Sequence, residues 1–367
     1  MNFIQKIYFG SPGTGKSHTV DTQCLTYLGI KAKLDDGTYT FNEGREPDLI
    51  RTVFHPEYTY GDFMGKLMPL TKGGRVEYKY HAGHFMRALA RAYKNKLAES
   101  KPPNNVALVI DEINRGNSAA IFGSIFQLLD RENDGSSSYT INLTEIELLK
   151  FLELVGLETK DLRTGESEYR WPGKEWVKNF STIEDHAKSS GISIADRAIR
   201  IPGNLSIIGT MNTSDNSIYF MDSAFKRRWD WEFMDCEERT IPDANYFPEG
   251  GQLGVESITR VQWNQFVQKL NLFFKSKHQY IRGIEDKQIG RFFIKDGKIE
   301  ADKLRGKLMF FVWDSVFQRD KKPLLDLLNS GLPEADKKKP SDLITFGDFC
   351  MLHNSFINAI FRFGPQA

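Results

Sequence analysis

Two patterns alternate along the first part of the chain. Short, largely apolar runs stand at Lys6-Ile7-Tyr8-Phe9, Arg51-Thr52-Val53-Phe54, Val106-Ala107-Leu108-Val109-Ile110 and Leu205-Ser206-Ile207-Ile208-Gly209. Such runs predict strands buried on both faces, as in the middle of a parallel sheet. Between them, helical spacing predicts helices over residues 16–28, 82–99 and 121–129; the second carries Phe85, Leu89, Ala92 and Tyr93. Residues 35–47, rich in Asp, Gly and Glu, read as a loop. Strands alternating with helices predict an α/β fold.

The pattern changes near residues 135–200. Gly135-Ser136-Ser137-Ser138 reads as flexible, residues 140–143 as a strand, 145–155 as a helix and 159–173 as polar turns. This stretch is expected to be an insertion between two core elements. After residue 235 the chain turns linker-like, with Pro242, Pro248, Gly250 and Gly251. Helical periodicity returns over 262–274, 307–317 and 346–361, predicting a mainly helical C-terminal subdomain. The expected division is a nucleotide-binding core over 1–240, interrupted at about 135–200, and a helical lid over 241–367.

Composition changes this picture little. With 40% hydrophobic and 26% charged residues the chain has ample material for a core. A net charge of +1 gives no overall pull toward nucleic acid, although a local basic surface remains compatible with it. Cys24, Cys236 and Cys350 are odd in number and form no CxxC pair, which disfavours a disulfide framework or zinc site and fits a reducing cytoplasm. No apolar run approaches the roughly 20 residues a membrane helix needs. No signal peptide is expected either, because the first strand follows Met1 almost at once.

The chemistry-bearing residues follow the strands. Gly10-Ser11-Pro12-Gly13-Thr14-Gly15-Lys16-Ser17, followed by His18, matches G-x-x-x-x-G-K-[ST] between a strand and a helix. Its glycines let backbone N–H groups wrap phosphate oxygens, and the helix N-terminus adds a positive dipole end. Lys16 is placed to reach the β- and γ-phosphates and Ser17 to ligate Mg²⁺. A second strand ends in Asp111-Glu112; Asp111 suits the Mg²⁺ shell and Glu112 suits orienting or deprotonating the attacking water. Asn212, just after the strand at 205–209, is the candidate for contacting the γ-phosphate or its water. In Phe225-Lys226-Arg227-Arg228-Trp229, either Arg227 or Arg228 could neutralise transition-state charge across a subunit boundary.

Together these pieces resemble the AAA+ superfamily, and more narrowly the McrB family of GTPase subunits of modification-dependent restriction systems. Asp111-Glu112-Ile113-Asn114-Arg115-Gly116-Asn117 resembles that family's DEINRAN segment. Met211-Asn212-Thr213-Ser214-Asp215-Asn216-Ser217 resembles its MNTxDRS signature, with Asn216 where arginine is usual. Residues 221–229 resemble D-x-A-L-R-R-R-F, residues 54–63 F-H-x-S-Y-x-Y-E-D-F, and 288–293 the I-G-H-S-Y-F type of lid segment. The resemblance covers most of the chain outside residues 135–200.

The resemblance implies an AAA+ core with a helical lid, GTP as the favoured substrate with Mg²⁺, and ATP as the alternative. It implies a homo-oligomeric, hexameric ring with active sites between subunits, an McrC-like nuclease partner, and a motor that translocates double-stranded DNA. Arg291 becomes a candidate nucleotide-sensing lid arginine. The phosphates alone do not choose the base, and no Ras-type N-K-x-D motif is present. The family's DNA-reading N-terminal domain is expected to be absent, since the P-loop starts at Gly10. Recognition is then expected to fall to another subunit, a removed domain or the insertion, whose Arg163, Arg170, Trp171, Lys174, Trp176 and Lys178 suit nucleic acid. Its acids Glu145, Glu147, Glu153 and Asp161 favour a structural or partner-contact role. A protein-remodelling AAA+ ATPase of the MoxR or dynein-related type is the alternative reading.

Overall fold

The computed structural model describes residues 3–98, 102–161, 167–213, 219, 221–236, 257–295 and 298–364. Pro242, Pro248, Gly250, Gly251, Asn216 and Arg163 lie outside the described residues. Five strands form the central sheet: Gln5–Phe9, Leu49–Val53, Val106–Asp111, Leu205–Met211 and Asp230–Phe233. Across the sheet they run in the order fifth, first, fourth, third, second. The fourth pairs in parallel with the third, Leu205 facing Val106 and Gly209 facing Ile110. The second pairs in parallel on the third's other side, Val53 facing Asp111. The two innermost apolar runs are buried almost end to end, which explains why they read as continuous rather than alternating.

The described residues fall into two compact units. The first contains the chain up to Tyr8, Ser17–Met211 and the stretch ending at Glu232. Its core joins sheet residues such as Leu108 and Ile207 to Phe85, Leu89 and Tyr93 of the helix His84–Leu97. The segment 135–200 packs into this same core. Its helix Glu145–Val155 is stopped at the start by a Thr144–Glu147 capping box and places Phe151 edge-on to Tyr93 at 5.6 Å. Trp171 is buried and donates its indole N–H to the Ile183 carbonyl. Arg170 pairs with Glu158 and lies over the Trp176 ring. Arg170 and Trp176 thus serve each other.

The second unit contains Phe9–Lys16, Asn212, Thr213 and the chain from Phe233 onward. A second core, built on Trp263, Phe266, Phe273, Phe317, Phe349 and Phe356, holds its helices together. The expected helix over 262–274 spans Arg260–Ser276, capped by Thr259 and Gln262. The region expected as one helix over 346–361 is two, Phe346–Met351 and His353–Arg362. Residues 304–316 wind largely as π-helix rather than as a plain α-helix.

Three differences from the expected elements stand out in the first unit. Tyr39–Phe41, inside the expected loop, is a strand paired with Lys31–Lys33. The polar turns near 159–173 form a hairpin of Glu158–Asp161 and Ser167–Arg170. Gly65–Lys72 and Arg75–Ala82 form a long hairpin where no element was expected. No described helix is long and apolar enough to cross a membrane, and none of the three cysteines forms a disulfide.

Candidate functional site

In the second unit the P-loop leaves the first strand in a chain of unusual backbone angles. Gly13 and Gly15 have φ of 80° and 93°, values that L-residues avoid. The loop is gripped by the 288–293 segment. The amides of Gly290 and Phe292 donate to the carbonyls of Pro12 and Gly13 at 2.8 and 2.9 Å. The Ser11 hydroxyl donates to the Glu285 carbonyl at 2.5 Å. Approach is so close that a Cβ on Gly290 would lie 2.4 Å from the Gly13 carbonyl, and one on Gly13 2.4 Å from the Phe293 nitrogen. The two segments therefore meet where neither glycine has room for a side chain.

Lys16 is buried, its ammonium donating to the Gly10 and Ser11 carbonyls at 2.8 Å each. Thr14 donates to the Ser11 carbonyl. A continuous helical run starts at Lys16 and continues through a π-helical stretch to Tyr27. Ser17 and His18 on its first turn are exposed. Left-handed glycines, a lysine over the loop and a helix N-terminus make a donor set that fits a chain of phosphates. Arg291 is exposed, with its guanidinium 4.8 Å from the Phe292 ring. Its carbonyl accepts from the Trp263 indole.

In the first unit Asp111 ends the third strand. Thr210, on the neighbouring fourth strand, donates its hydroxyl to one Asp111 oxygen at 2.8 Å. Arg51, on the other neighbour, places Nε 3.0 Å from the second oxygen. Arg51 also donates to both oxygens of Asp21 at 3.2 and 3.3 Å, and Lys31 lies 3.6 Å from Asp21. The carboxylate is thus fixed from both flanks of its strand. Sequence reasoning passed over Arg51 and Asp21. The available signal was a lone arginine inside Leu49-Ile50-Arg51-Thr52-Val53, since a charge in a mostly apolar strand needs a partner.

Glu112 follows at φ 53°, a left-handed conformation rare for a residue with a side chain. It turns the chain sharply off the sheet edge, and Arg115 comes within 3.5 Å of its carboxylate. Asn114 is buried, and its carbonyl accepts from the Tyr219 amide. Asn212 directly follows the fourth strand and is partly exposed.

The arginine pair divides. Arg228 is only 9% exposed at its side chain and is tied to its own unit. It donates to the Ala224 carbonyl and to Asp130, each at 2.8 Å, and its guanidinium lies 4.0 Å from the Phe126 ring centre. Arg227 is exposed. Asp222 caps this short helix by accepting from the Phe225 amide.

Within 54–63 the rings of Phe54, Tyr58 and Phe63 belong to the core, while His55, Pro56, Glu57 and Thr59 are exposed. Phe54 and Phe63 are fully buried and pack with Phe122. Tyr58 shares a 2.8 Å hydrogen bond with His84. Burial raises the Tyr58 hydroxyl to about 12 and lowers the His84 imidazole, which leaves both neutral near pH 7.

The chain is 27% identical over 348 residues to the type II restriction enzyme BsuMI component YdiS of Bacillus subtilis, covering 89% of this chain and 82% of that protein. It is 24% identical over 229 residues to the type IV methyl-directed restriction enzyme EcoKMcrB subunit of Escherichia coli. That match takes in 62% of this chain but only 34% of the longer protein. No family model matches. A solved putative ATPase from Cytophaga hutchinsonii aligns with 64% of this chain and 43% of its own, at 13% identity and a TM-score of 0.26. The motifs and the two sequence relatives agree: the chain is similar to McrB-like subunits of restriction systems.

Proposed function

We propose that this chain is the nucleotide-hydrolysing motor subunit of a restriction complex, with GTP the favoured substrate. The observation that carries the hydrolytic reading is the fixed Asp111 carboxylate next to Glu112 in its left-handed turn. A rigid acid at a strand end, followed by a second acid in a strained conformation, suits metal-assisted phosphoryl transfer. Lys16 and the loop amides hold the phosphates; Ser17 and Asp111 hold Mg²⁺, which when bound neutralises charge on the transferred group. Glu112 orients water and takes its proton. Asn212 contacts the γ-phosphate or the water. Arg227 acts on a neighbouring subunit's nucleotide in a homo-oligomeric ring, and its exposure supports it over Arg228 in that role. Arg291 reports nucleotide occupancy to the lid.

Turnover is coupled to movement on double-stranded DNA and to activation of a separate McrC-like nuclease. The division into a core over 1–240 and a lid over 241–367 belongs to the same reading, as does a cytoplasmic location. Turnover with GTP and ATP separately, with and without DNA and the nuclease, is the test. GTP turnover raised by the nuclease supports the proposal. ATP-only turnover indifferent to both additions refutes it in favour of a protein remodeller.

A further inference from the structure

The hairpin over residues 65–82 has no task in the hydrolytic site, and its surface carries several exposed apolar side chains. Its two eight-residue strands pair in unbroken register from Gly65–Ala82 to Lys72–Arg75. At about 3.3 Å per residue the ribbon is some 26 Å long. In this antiparallel register, Lys66, Met68 and Leu70 share one face with His81, Lys79, Glu77 and Arg75. The other face carries Leu67, Pro69 and Thr71 with Tyr80, Tyr78 and Val76.

Both faces hold apolar side chains in water. Tyr78 is 72% exposed, Val76 59% and Leu67 51%, with Met68 and Leu70 also exposed. An isolated two-stranded ribbon is marginal by itself. At its base Lys66 meets Asp62 at 2.6 Å and Tyr80 donates to Glu147 at 3.3 Å. Between the second strand and the helix Glu145–Val155 runs a groove of about 690 Å³ whose lining includes Tyr78, Ile146, Leu149, Arg87 and Lys150.

The charge decides what covers this surface. Residues 65–82 hold four lysines and arginines against one glutamate, a net +3 in a chain whose total is +1. Among the described residues, Glu77 lies 3.9 Å from Lys79. The turn is Gly73-Gly74, with φ of 58° and 80°, so the tip has no side chain to hold off a close surface. A narrow ribbon with a cationic face, exposed tyrosine and a bare tip matches a polyanion with a groove. Two-stranded ribbons fit the major groove of B-form DNA, with cations on the flanking phosphates.

We propose that the 65–82 hairpin is a contact element for duplex DNA, through Arg75 and Lys79 on the phosphates and Tyr78 against the groove wall. The proposal takes its polymer from the restriction-complex reading, yet it needs no hydrolysis. The test uses the whole chain carrying Arg75→Ala and Lys79→Ala together, and separately Tyr78→Ala. Binding to a fluorescent 30-base-pair duplex (an arbitrary probe length of ~30, ample for a large interface) is followed by anisotropy across a salt series. Two lost phosphate contacts are expected to flatten the log K against log salt slope by about 1.8 and to weaken binding roughly tenfold or more. Melting temperature and DNA-independent turnover stay as in the wild type.

Unchanged affinity and slope in the double variant overturn the proposal. So does loss of self-association at unchanged DNA affinity, which makes a second copy of the chain the occupant. Failure of the wild-type chain to bind the duplex overturns it as well. Absent turnover in a preparation that binds DNA in the expected way sinks the hydrolytic reading and leaves the hairpin's role standing.

Discussion

Replacing Arg228 by alanine removes three contacts at once: the donation to Asp130, the donation to the Ala224 carbonyl, and the stacking on Phe126. A hydrogen bond between charged groups contributes about 1.5–3 kcal/mol when sheltered. Asp130 is 35% exposed, so the lower end applies. A cation over an aromatic ring adds about 0.5–1 kcal/mol in a partly wet setting. The expected loss is therefore about 2–3 kcal/mol, or roughly 5–10 °C in melting temperature for a unit of this size. Arg227→Ala touches nothing buried and is expected to stay within about 0.5 kcal/mol of the wild type. Turnover reverses the order: Arg227→Ala loses at least about a thousandfold, the scale of a missing arginine finger, and regains activity when mixed with Lys16→Ala subunits. Scanning calorimetry and a mixed-subunit assay read the two effects separately. An Arg228→Ala protein as stable as the wild type but inactive, beside an active Arg227→Ala protein, would refute the assignment.

Three further outcomes are expected. Glu112→Gln keeps nucleotide binding, measured by a fluorescent analogue, while steady-state turnover falls to near background; wild-type turnover would remove Glu112 from its role. Gly290→Ala, which sets a Cβ 2.4 Å from the Gly13 carbonyl, weakens nucleotide binding at least about tenfold, the ~1.4 kcal/mol equivalent of a modest backbone displacement, and unaltered affinity would show that the lid contact does not shape the loop. Asp62 is pushed up by burial, but Lys66 and Thr59 outweigh that and hold it at about 2. A lowered carboxylate pKa contributes stability above its ordinary value near 3.8, and that stability is lost as pH falls toward 2. Urea midpoints of wild type and Asp62→Asn should therefore differ at pH 6 and draw together as pH falls through about 2; a constant gap contradicts the linkage.

Where the sequence was legible, burial had written the pattern directly. Val106–Asp111 and Leu205–Met211 sit between other strands, so nearly every position is apolar and the run is unmistakable. The helices over 145–155 and 262–274 announced themselves through spacing, and the structure adds the capping boxes at Thr144 and Thr259. The 65–82 hairpin stayed hidden because its apolar residues are spread over two exposed faces, which gives no one-sided alternation to read. Tyr39–Phe41 pairs only with a three-residue neighbour and lies in a polar stretch. At the site, Lys16, Asp111 and Glu112 were readable because local chemistry fixes their spacing from glycines and strand ends. Arg51 was not, since its role depends on the Val53-to-Asp111 register between strands far apart in the chain. The difference in burial between Arg227 and Arg228 is likewise something two adjacent arginines in a row cannot reveal.

The P-loop's grip by Gly290 and Phe292 makes the motif depend on two distant parts of the chain. Its letters are written near the first residue, but its shape is maintained by backbone amides from the far half. A fragment ending before residue 257 would keep every letter of the motif and lose the partners of two of its carbonyls. Nucleotide affinity is accordingly a property of the C-terminal half as much as of the N-terminal motif. Substitutions between residues 285 and 293 should read, in a binding assay, like substitutions in the loop itself.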